Sequence, residues 1–325
     1  MPALPTACAV KVGTESASRF STVRILLSVS SPFTLPSGFI GPDAASTSSG
    51  DGTLEAREQK KTVTMKLVLI WGLTRESRHW GAMASPNGVL VRHLASLPQA
   101  AMRAVVTLDL PGNGRFHAER SPSSVQEMVE LARARLLADG HAPPYTLVAM
   151  SLGAMVATHW AQRYPAEAYR LILINTSLRP YATLGRRLRP ASWLPLAQAA
   201  LRWSREQHAE RVERVLHRLT CRRLDTRASD IAAWTEIRRS APVSPGNALR
   251  QLWAAARFRS ANEPPHCRTL LLSSAGDALV HPQCSSAIAT QWRAGHYQHP
   301  WAGHDLPHDD PEWVSARIAG WLAQP

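Results

Sequence analysis

Short apolar segments recur along the chain from Met65 onwards, and segments with helical periodicity separate them. The segments KLVLIW, AVVTLDL, YTLVAM, RLILIN and TLLLSS are continuously apolar, which is typical of strands buried on both faces of a parallel sheet. Between two of them, SVQEMVELARARLLADG carries apolar residues at helical spacing and closes with Gly140, as a capped amphipathic helix does. This alternation of strand and helix predicts a doubly wound, mostly parallel α/β fold.

A helical insertion interrupts the alternation after LILINTSLRP. Residues 181 to about 263 contain several helical patterns and no convincing strand, so we predict an all-helical lid inserted between two strands. The strand pattern resumes with CRTLLLSS and HYQHP, and the helical segment PEWVSARIAGWLAQ follows. The predicted catalytic domain therefore covers residues 65–325.

Residues 1–64 differ in composition from the rest of the chain. They are rich in Ser, Thr, Pro and Gly and show no sustained helical or strand period. Such a segment is not expected to bury enough apolar surface to offset the entropy lost on ordering. We interpret residues 1–64 as a disordered extension or an incorrectly assigned start, with Met65 as the expected first residue. A targeting or linker segment is the alternative.

Composition and charge narrow the class of protein. The chain is 45% hydrophobic and has no apolar run near the roughly 18 residues that span a bilayer. Its four cysteines form no CxxC pair, as expected for a reducing, cytoplasmic compartment. The formal net charge is +13, and most of the excess lies between residues 181 and 268, where 17 Arg stand against seven Asp or Glu. Both a GC-rich genome and an acidic partner explain such a charge.

Ser151 lies where the predicted strand YTLVAM meets a helix of small residues. A tight strand–turn–helix corner would present this side chain above the carboxyl edge of the sheet, provided that the residues two positions away are small. These residues are Ala149 and Gly153, so the motif is A-x-S-x-G in place of the usual G-x-S-x-G. A catalytic serine needs a base and a carboxylate that orients the base. Asp277 and His304 each follow a later predicted strand, which gives the order Ser, Asp, His at three strand ends.

Five sequence blocks resemble the α/β-hydrolase superfamily in order and spacing, from Met65 to the last predicted helix. They are LVLIWGL, LDLPGNGRF, LVAMSLGAM, SAGDALVHP and AGHDLPHDDPEW. Within the superfamily, WGL followed by VERVLHRLT in the insertion resembles the bacterial pimeloyl-[acyl-carrier protein] methyl ester esterases of biotin synthesis. The resemblance implies a serine carboxylic ester hydrolase in which Ser151 is the nucleophile, His304 the general base and Asp277 the acid that orients it.

The resemblance also implies an oxyanion hole and a substrate site. The backbone N–H groups of Leu73 and Leu152 would form the hole, although Trp71 stands where the superfamily usually has His and the loop must be braced in another way. These two leucines are also expected to contact substrate, together with residues of the insertion: Arg214, Val215, Leu216, Leu219 and Arg227. One or two tryptophans of the insertion are expected at the acyl pocket, among Trp193, Trp203, Trp234 and Trp253. The arginines are expected where related esterases contact an acidic acyl carrier protein.

Other acidic and histidine residues near these blocks have structural interpretations. Asp109 begins the turn in LDLPGNG and is expected to shape the edge of the site. Asp305 adjoins His304, and an adjacent residue rarely turns back to orient the same imidazole, so the carboxylate after TLLLSS is preferred. His299 and His308 are expected to be packing residues.

We expect hydrolysis of a small-molecule or carrier-protein-linked ester through an acyl-enzyme, without a cofactor. No HExxH, glycine-rich phosphate loop or Cys/His cluster is visible in the sequence, so neither a metal nor a nucleotide is expected. The same fold and residues serve general small-ester esterases, thioesterases, C–C hydrolases, lyases and cofactor-free haloperoxidases. A non-catalytic basic binding protein is disfavoured because it has no need of an ordered Ser, Asp and His. Neither nucleic acid nor a membrane is expected as a partner, since the basic segment lacks aromatic interleaving.

Overall fold

Six parallel strands form one sheet in the computed structural model, which describes residues 65–97 and 102–324. The predicted extension over residues 1–64 lies outside the described residues. In chain order the strands are β1 (Met65–Ile70), β2 (Met102–Leu108), β3 (Tyr145–Met150), β4 (Ala168–Ile174), β5 (Arg268–Ser274) and β6 (Gly295–His299). They lie in the order β2-β1-β3-β4-β5-β6, and every pairing is parallel.

The strand order places a switch point between β1 and β3. The chain moves from β1 outward to β2, returns past β1 to β3, and then continues in one direction to β6. The carboxyl ends of β1 and β3 lead directly to Trp71 and Ser151. In open α/β sheets, ligands bind in the crevice at such a point. The topology therefore predicts a ligand site at the loops that follow β1 and β3.

Helices cover both faces of the sheet. Within the described residues the α-helices are α1 (Val89–Ala95), α2 (Val125–Ala138), α3 (Leu152–Arg163), α4 (Leu184–Arg187), α5 (Trp193–Leu201), α6 (Ala209–Thr220), α7 (Arg227–Ser240), α8 (Pro245–Arg257), α9 (Gln283–Trp292), α10 (Leu306–Asp309) and α11 (Pro311–Leu322). α1 and α11 pack on one face, and α2 and α3 on the other. In β1, Leu67 and Leu69 face the first pair and Val68 and Ile70 the second, which explains why this strand is continuously apolar.

The helix ends carry the residues that capping requires. The Ser124 hydroxyl accepts a hydrogen bond from the Glu127 N–H at 3.2 Å and begins α2, and the predicted Gly140 follows its end with φ of +78°. Ser244 caps α8 and Asp310 caps α11, each directly before a proline in the first turn. Local sequence therefore sets where these helices start and stop.

A helical insertion occupies the stretch between β4 and β5. It comprises α4 to α8, and the described residues of this stretch contain no strand. The Ser260 N–H donates to the Arg179 carbonyl at 3.0 Å, which brings the two ends of the insertion together. The predicted parallel α/β fold with a helical insertion is confirmed. No helix among the described residues is long and apolar enough to cross a membrane.

Candidate active site

Ser151 occupies a sharp turn between β3 and α3. Its backbone has φ of 53° and ψ of −116°, a region that residues other than glycine rarely adopt. A Cβ at Gly153 would collide with the carbonyl oxygens of Trp71 and Ile70, so this position of the motif requires glycine. Ala149 is fully buried in β3. The turn therefore has the strand–elbow–helix form that presents a serine hydroxyl at the sheet edge.

His304 and Asp277 form a buried pair at the same carboxyl edge. His304 Nδ1 lies 2.7 Å from Asp277 Oδ2. The other oxygen of the carboxylate, Oδ1, accepts the N–H groups of Leu279 and Val280 at 2.8 and 2.9 Å. With its proton on Nδ1 toward the carboxylate, the imidazole leaves Nε2 as an acceptor. This arrangement holds one tautomer of the ring, as a general base requires.

The pKa of His304 is raised above its ordinary value. Burial lowers it, but the charge of Asp277 and its hydrogen bond outweigh this effect, and the charge of Asp305 adds to them. The ring is therefore neutral, and able to accept a proton, only above this raised pKa. By contrast, burial and the neighbouring Arg75 lower the pKa of His79 well below its usual value, so His79 remains a neutral scaffold residue.

The loop after β1 lies directly over Ser151. A Cβ placed on Gly72 would lie 2.8 Å from the Ser151 Cβ, so only glycine permits this approach. Among the described residues, neither the Leu73 nor the Leu152 N–H has a protein acceptor. Both backbone N–H groups that the sequence predicts for an oxyanion hole are therefore uncommitted, on a loop and a helix start that adjoin Ser151.

A buried polar network braces this loop where the usual histidine is absent. Thr74 has a positive φ of 57°, and its N–H donates to Gln251 Oε1 of α8 at 2.9 Å. Gln251 Nε2 donates to Asn113 Oδ1 at 2.7 Å and to Ser121 Oγ at 3.0 Å. Asn113 Nδ2 in turn donates to the Arg75 carbonyl at 2.8 Å. The amide side chains thus fix the backbone on both sides of the turn.

Trp71 and Arg75 hold the two ends of the loop by packing and charge. Trp71 packs edge-on against Trp80, with ring centroids 4.4 Å apart. Arg75 donates to Glu213 of α6 at 2.8 Å, in a pair that is almost fully buried, and its guanidinium lies 4.3 Å from the Trp234 ring of α7. The insertion is therefore tied to the loop that contains the proposed oxyanion donor.

Asn175 and Asp309 brace the His304 loop, and the sequence analysis did not identify either residue. Asn175 Nδ2 donates to the His304 carbonyl at 2.7 Å and to the Gly303 carbonyl at 3.1 Å. Asp309 Oδ2 accepts the Gly303 N–H at 2.6 Å and the Arg222 N–H at 2.9 Å. An asparagine directly after the strand RLILI was the only local indication of such a role.

An apolar pocket of about 400 Å³ lies beside the oxyanion loop, between α5 and α8 of the insertion. Leu73 forms part of its wall, and Leu216 of α6 another part. Two of the four insertion tryptophans, Trp193 and Trp203, also line it, together with Leu249. Such a pocket fits a chain of methylene groups better than a polar ligand.

The other predicted substrate residues do not line this pocket. Leu152 is buried in the core, Leu219 is buried in α6, and Val215 packs beside Leu216. Arg214 is exposed and pairs with Glu210 one turn earlier, while Arg227 begins α7 and is half-buried. Of the residues predicted to contact substrate, the structure thus places Leu73 and Leu216 in the pocket wall.

Asp109 has the structural contacts that its turn predicts. It accepts hydrogen bonds from the Ser77 N–H at 2.7 Å, the Ser77 hydroxyl at 2.5 Å and the Arg115 N–H at 3.1 Å. His299 bonds Asp310 and packs between Trp301 and Trp313. Asp109 and His299 therefore have structural contacts.

The fold forms a Cys/His cluster that is not visible as a motif in the sequence. The fold brings His217, Cys221 and His308 together, with one donor atom from each within 4.8 Å of the others. The sequence hides the cluster because His308 lies far along the chain from the other two residues. The four-residue spacing of His217 and Cys221 was its only local sign.

The chain belongs to the alpha/beta hydrolase family, whose model matches residues 67–317. Among curated proteins it is similar to the uncharacterized protein YbdG of Bacillus subtilis (strain 168), with 28% identity over 74 residues. That match spans 23% of this chain and 23% of the length of YbdG.

Two solved structures illustrate the fold similarity. A thermophilic esterase from Thermogutta terrifontis is 22% identical and aligns with a TM-score of 0.57 over 79% of this chain and 89% of its own. The enol-lactonase from Burkholderia xenovorans LB400 is 15% identical, with a TM-score of 0.62 over 80% of this chain and 92% of its own. At these identities the similarity establishes the fold, whereas substrate and chemistry must be argued from the site.

Proposed function

We propose that this protein is a serine hydrolase that cleaves carboxylic esters through an acyl-enzyme on Ser151. The observation that carries the proposal is the buried His304–Asp277 pair at the sheet edge that also presents Ser151 on a strained elbow. A residue with only a packing role has no need of such backbone strain, or of an imidazole held in one tautomer by a buried carboxylate.

We propose the following reaction for these residues. His304 Nε2 takes the Ser151 hydroxyl proton as Oγ attacks the acyl carbonyl, and Asp277 stabilises the resulting imidazolium. The developing oxyanion accepts hydrogen bonds from the Leu73 and Leu152 N–H groups, neither of which is committed elsewhere among the described residues. The imidazolium then protonates the leaving alcohol. Water deprotonated by the same ring hydrolyses the acyl-enzyme and restores the serine.

The apolar pocket supports an aliphatic acyl group as substrate. Leu73 links the pocket to the oxyanion loop, since it contributes both a backbone donor and part of the wall. We propose that an acyl chain lying against Leu216 and Trp203 extends past Leu73 toward Ser151. At roughly 25 cal/mol per Å² of buried apolar area, each methylene group placed there contributes about 0.8 kcal/mol to binding.

The finer proposal is that the ester is linked to an acidic acyl carrier protein, as in cleavage of pimeloyl-[acyl-carrier protein] methyl ester. Four exposed arginines follow one face of α6 and the residues after it: Arg211, Arg214, Arg218 and Arg222. The Arg214–Glu210 pair on this face is exposed and contributes little stability, so a partner's carboxylates can compete for the arginine.

The nucleophile assignment is tested with a fluorophosphonate probe and a short-chain aryl ester. Ser151→Ala should abolish labelling and lower turnover by on the order of 10⁴-fold. Ser315→Ala is the matched control, because it makes the same substitution at a serine that is buried in α11 and has no place in the proposed catalytic set. The control should label as the parent protein does, and labelling that persists in Ser151→Ala would refute the assignment.

The carrier-linked substrate is tested by complementation of a bacterial strain that cannot cleave pimeloyl-carrier methyl ester. Growth without biotin supports the finer proposal when the Ser151→Ala variant fails to restore it. No growth from a protein that hydrolyses small esters in vitro would instead assign it to the general esterases.

A further inference from the structure

A second cluster of reactive side chains lies where the insertion meets the loop after His304. His217 and Cys221 are four residues apart at the end of α6, a spacing that puts both on one side of the helix. His308 approaches them from α10, and one donor atom from each of the three residues lies within 4.8 Å of the others. His217 and Cys221 are almost fully buried, with 1% and 2% of their surface exposed.

One imidazole nitrogen in this cluster has neither a hydrogen bond nor an ion pair among the described residues. His217 Nδ1 is buried without a hydrogen bond. Its other nitrogen, Nε2, lies 3.3 Å from Asp230 Oδ2, which favours the tautomer with the proton on Nε2. The lone pair on Nδ1 is then left unused in the interior, where an unsatisfied polar atom costs about 1–3 kcal/mol. A metal ion would use this lone pair, and a ligand histidine characteristically donates its second nitrogen to a carboxylate.

The surrounding charges favour a cation. Asp230 Oδ2 also lies 3.0 Å from His308 Nε2, so one carboxylate adjoins both imidazoles.

We propose that His217, Cys221 and His308 form a Zn²⁺-type metal site, with the Asp230 carboxylate in contact with both imidazoles. Zn²⁺ prefers this mixture of nitrogen and sulfur donors at about 2.0–2.3 Å, which requires the donor atoms to draw together by about 1 Å. His308 and Asp230 are partly exposed, with 18% and 12% of their side chains accessible, and provide a path for the ion. The bound ion would fasten α6 and α7 of the insertion to α10, directly after His304.

Co²⁺ is the direct probe, because a thiolate–Co²⁺ bond gives a charge-transfer absorption that nitrogen and oxygen ligands do not give. Tag-free full-length protein, first stripped with a chelator, should bind one Co²⁺ per chain and develop this band. Cys221→Ser should abolish it. Cys284→Ser is the matched control, because Cys284 is equally buried but lies at the start of α9, and this variant should keep the band.

A second pair of variants covers the case in which Cys221→Ser fails to fold. His308→Gln should weaken Co²⁺ binding at least tenfold, whereas His299→Gln, at a buried histidine bonded to Asp310, should leave it unchanged. Zn²⁺ should displace Co²⁺ and, at about 100 times its Kd, raise the Tm by roughly 5 °C or more.

The metal site is independent of the proposed hydrolase activity, and the Ser151→Ala variant should bind Co²⁺ as the parent protein does. Absence of the band from the parent protein, or a band of full intensity in Cys221→Ser, would overturn the site whatever the fate of the esterase assignment.

Discussion

Ser151, the proposed nucleophile, has a backbone conformation that costs about 1–3 kcal/mol for a residue other than glycine. Four hydrogen bonds hold it there. Its N–H donates to the Ile174 carbonyl at 3.0 Å, and its carbonyl accepts from the Thr176 hydroxyl at 3.1 Å. The N–H groups of Ala154 and Met155 donate to the same carbonyl. The strain is thus offset by the strand end of β4 and the first turn of α3, and the side chain stays free to react.

Asp305 should contribute to the pH at which the site becomes active, although less than Asp277 does. Its charge helps to raise the pKa of His304, and the proposed base works only when it is neutral. Asp305→Asn removes that charge and lowers the pKa of His304, so the neutral ring persists to lower pH. We therefore expect the acid limb of the kcat/KM profile to move to lower pH in this variant. The profile is measured on a neutral ester whose own ionisation does not change.

The same pH profile distinguishes the role of Asp305 from that of Asp277, whose carboxylate bonds the His304 ring. Asp277→Asn should reduce kcat by roughly 10⁴-fold, because the amide favours the wrong tautomer of the imidazole. Asp310→Asn is the control, since Asp310 bonds His299 and caps α11, and it should leave the limb in place. An acid limb that stays fixed, or rises, in Asp305→Asn would contradict the electrostatic account of His304.

At the scale of secondary-structure elements, the loop after β1 depends on α8 of the insertion. Thr74, next to the proposed donor Leu73, has a positive φ, and its N–H is held by Gln251 across 177 residues of sequence. Gln251 is fully buried and has both ends of its amide engaged. It is therefore a positioning residue, which acts on the oxyanion through the backbone of the loop.

Gln251→Leu should lower kcat about tenfold with little change in KM, since it disturbs the oxyanion donor without removing it. It should also lower the free energy of unfolding by about 1–3 kcal/mol, because Thr74 and Asn113 lose buried partners. Gln251→Glu keeps an acceptor for the Thr74 N–H and should retain more of the kcat. Steady-state kinetics and denaturant unfolding measure the two effects separately.

Asn247→Leu provides the control for stability. Asn247 is also buried in α8 and bonds Ser121 and Glu119, but it makes no contact with the Thr74 backbone. This variant should lose similar stability and keep its kcat. Equal losses of kcat in Gln251→Leu and Asn247→Leu would show that general destabilisation, and not loop position, lowers the rate.

Elements that depend on neighbouring residues can be predicted from the sequence, whereas contacts between residues far apart in the chain cannot. The strand KLVLIW is recognisable because both of its faces are buried, and the Ser151 elbow because glycine is needed two residues later. By contrast, the bonds of Gln251 to Thr74 and Asn113 join residues 177 and 138 positions apart and leave no periodic pattern. In the structure, these Gln251 hydrogen bonds hold the loop after β1, in which Trp71 stands where the superfamily usually has histidine.

At the scale of the whole molecule, the charge is distributed unevenly. The net charge of +13 is concentrated in the residues of the insertion, and several of its arginines have internal roles. Arg238 and Arg75 share Glu213 in the interior, and the Arg187 side chain donates to backbone carbonyls at the end of α8. The exposed arginines of α6 have no such role, so they are the ones that an acidic partner can use.

If those arginines steer an acidic carrier, kcat/KM for a carrier-linked ester should fall roughly tenfold when the ionic strength is raised from a low to a physiological value. The reason is that exposed charges are screened beyond about 8–10 Å near physiological ionic strength. A small neutral ester at the same Ser151 should be nearly unaffected. Arg214→Glu with Arg218→Glu should reproduce this difference at low salt. The same double reversal at Arg92 and Arg317, exposed on α1 and α11, should change neither substrate. Equal losses on both esters from the α6 reversal would indicate a damaged insertion, and no loss on either would remove the support for a carrier-linked substrate.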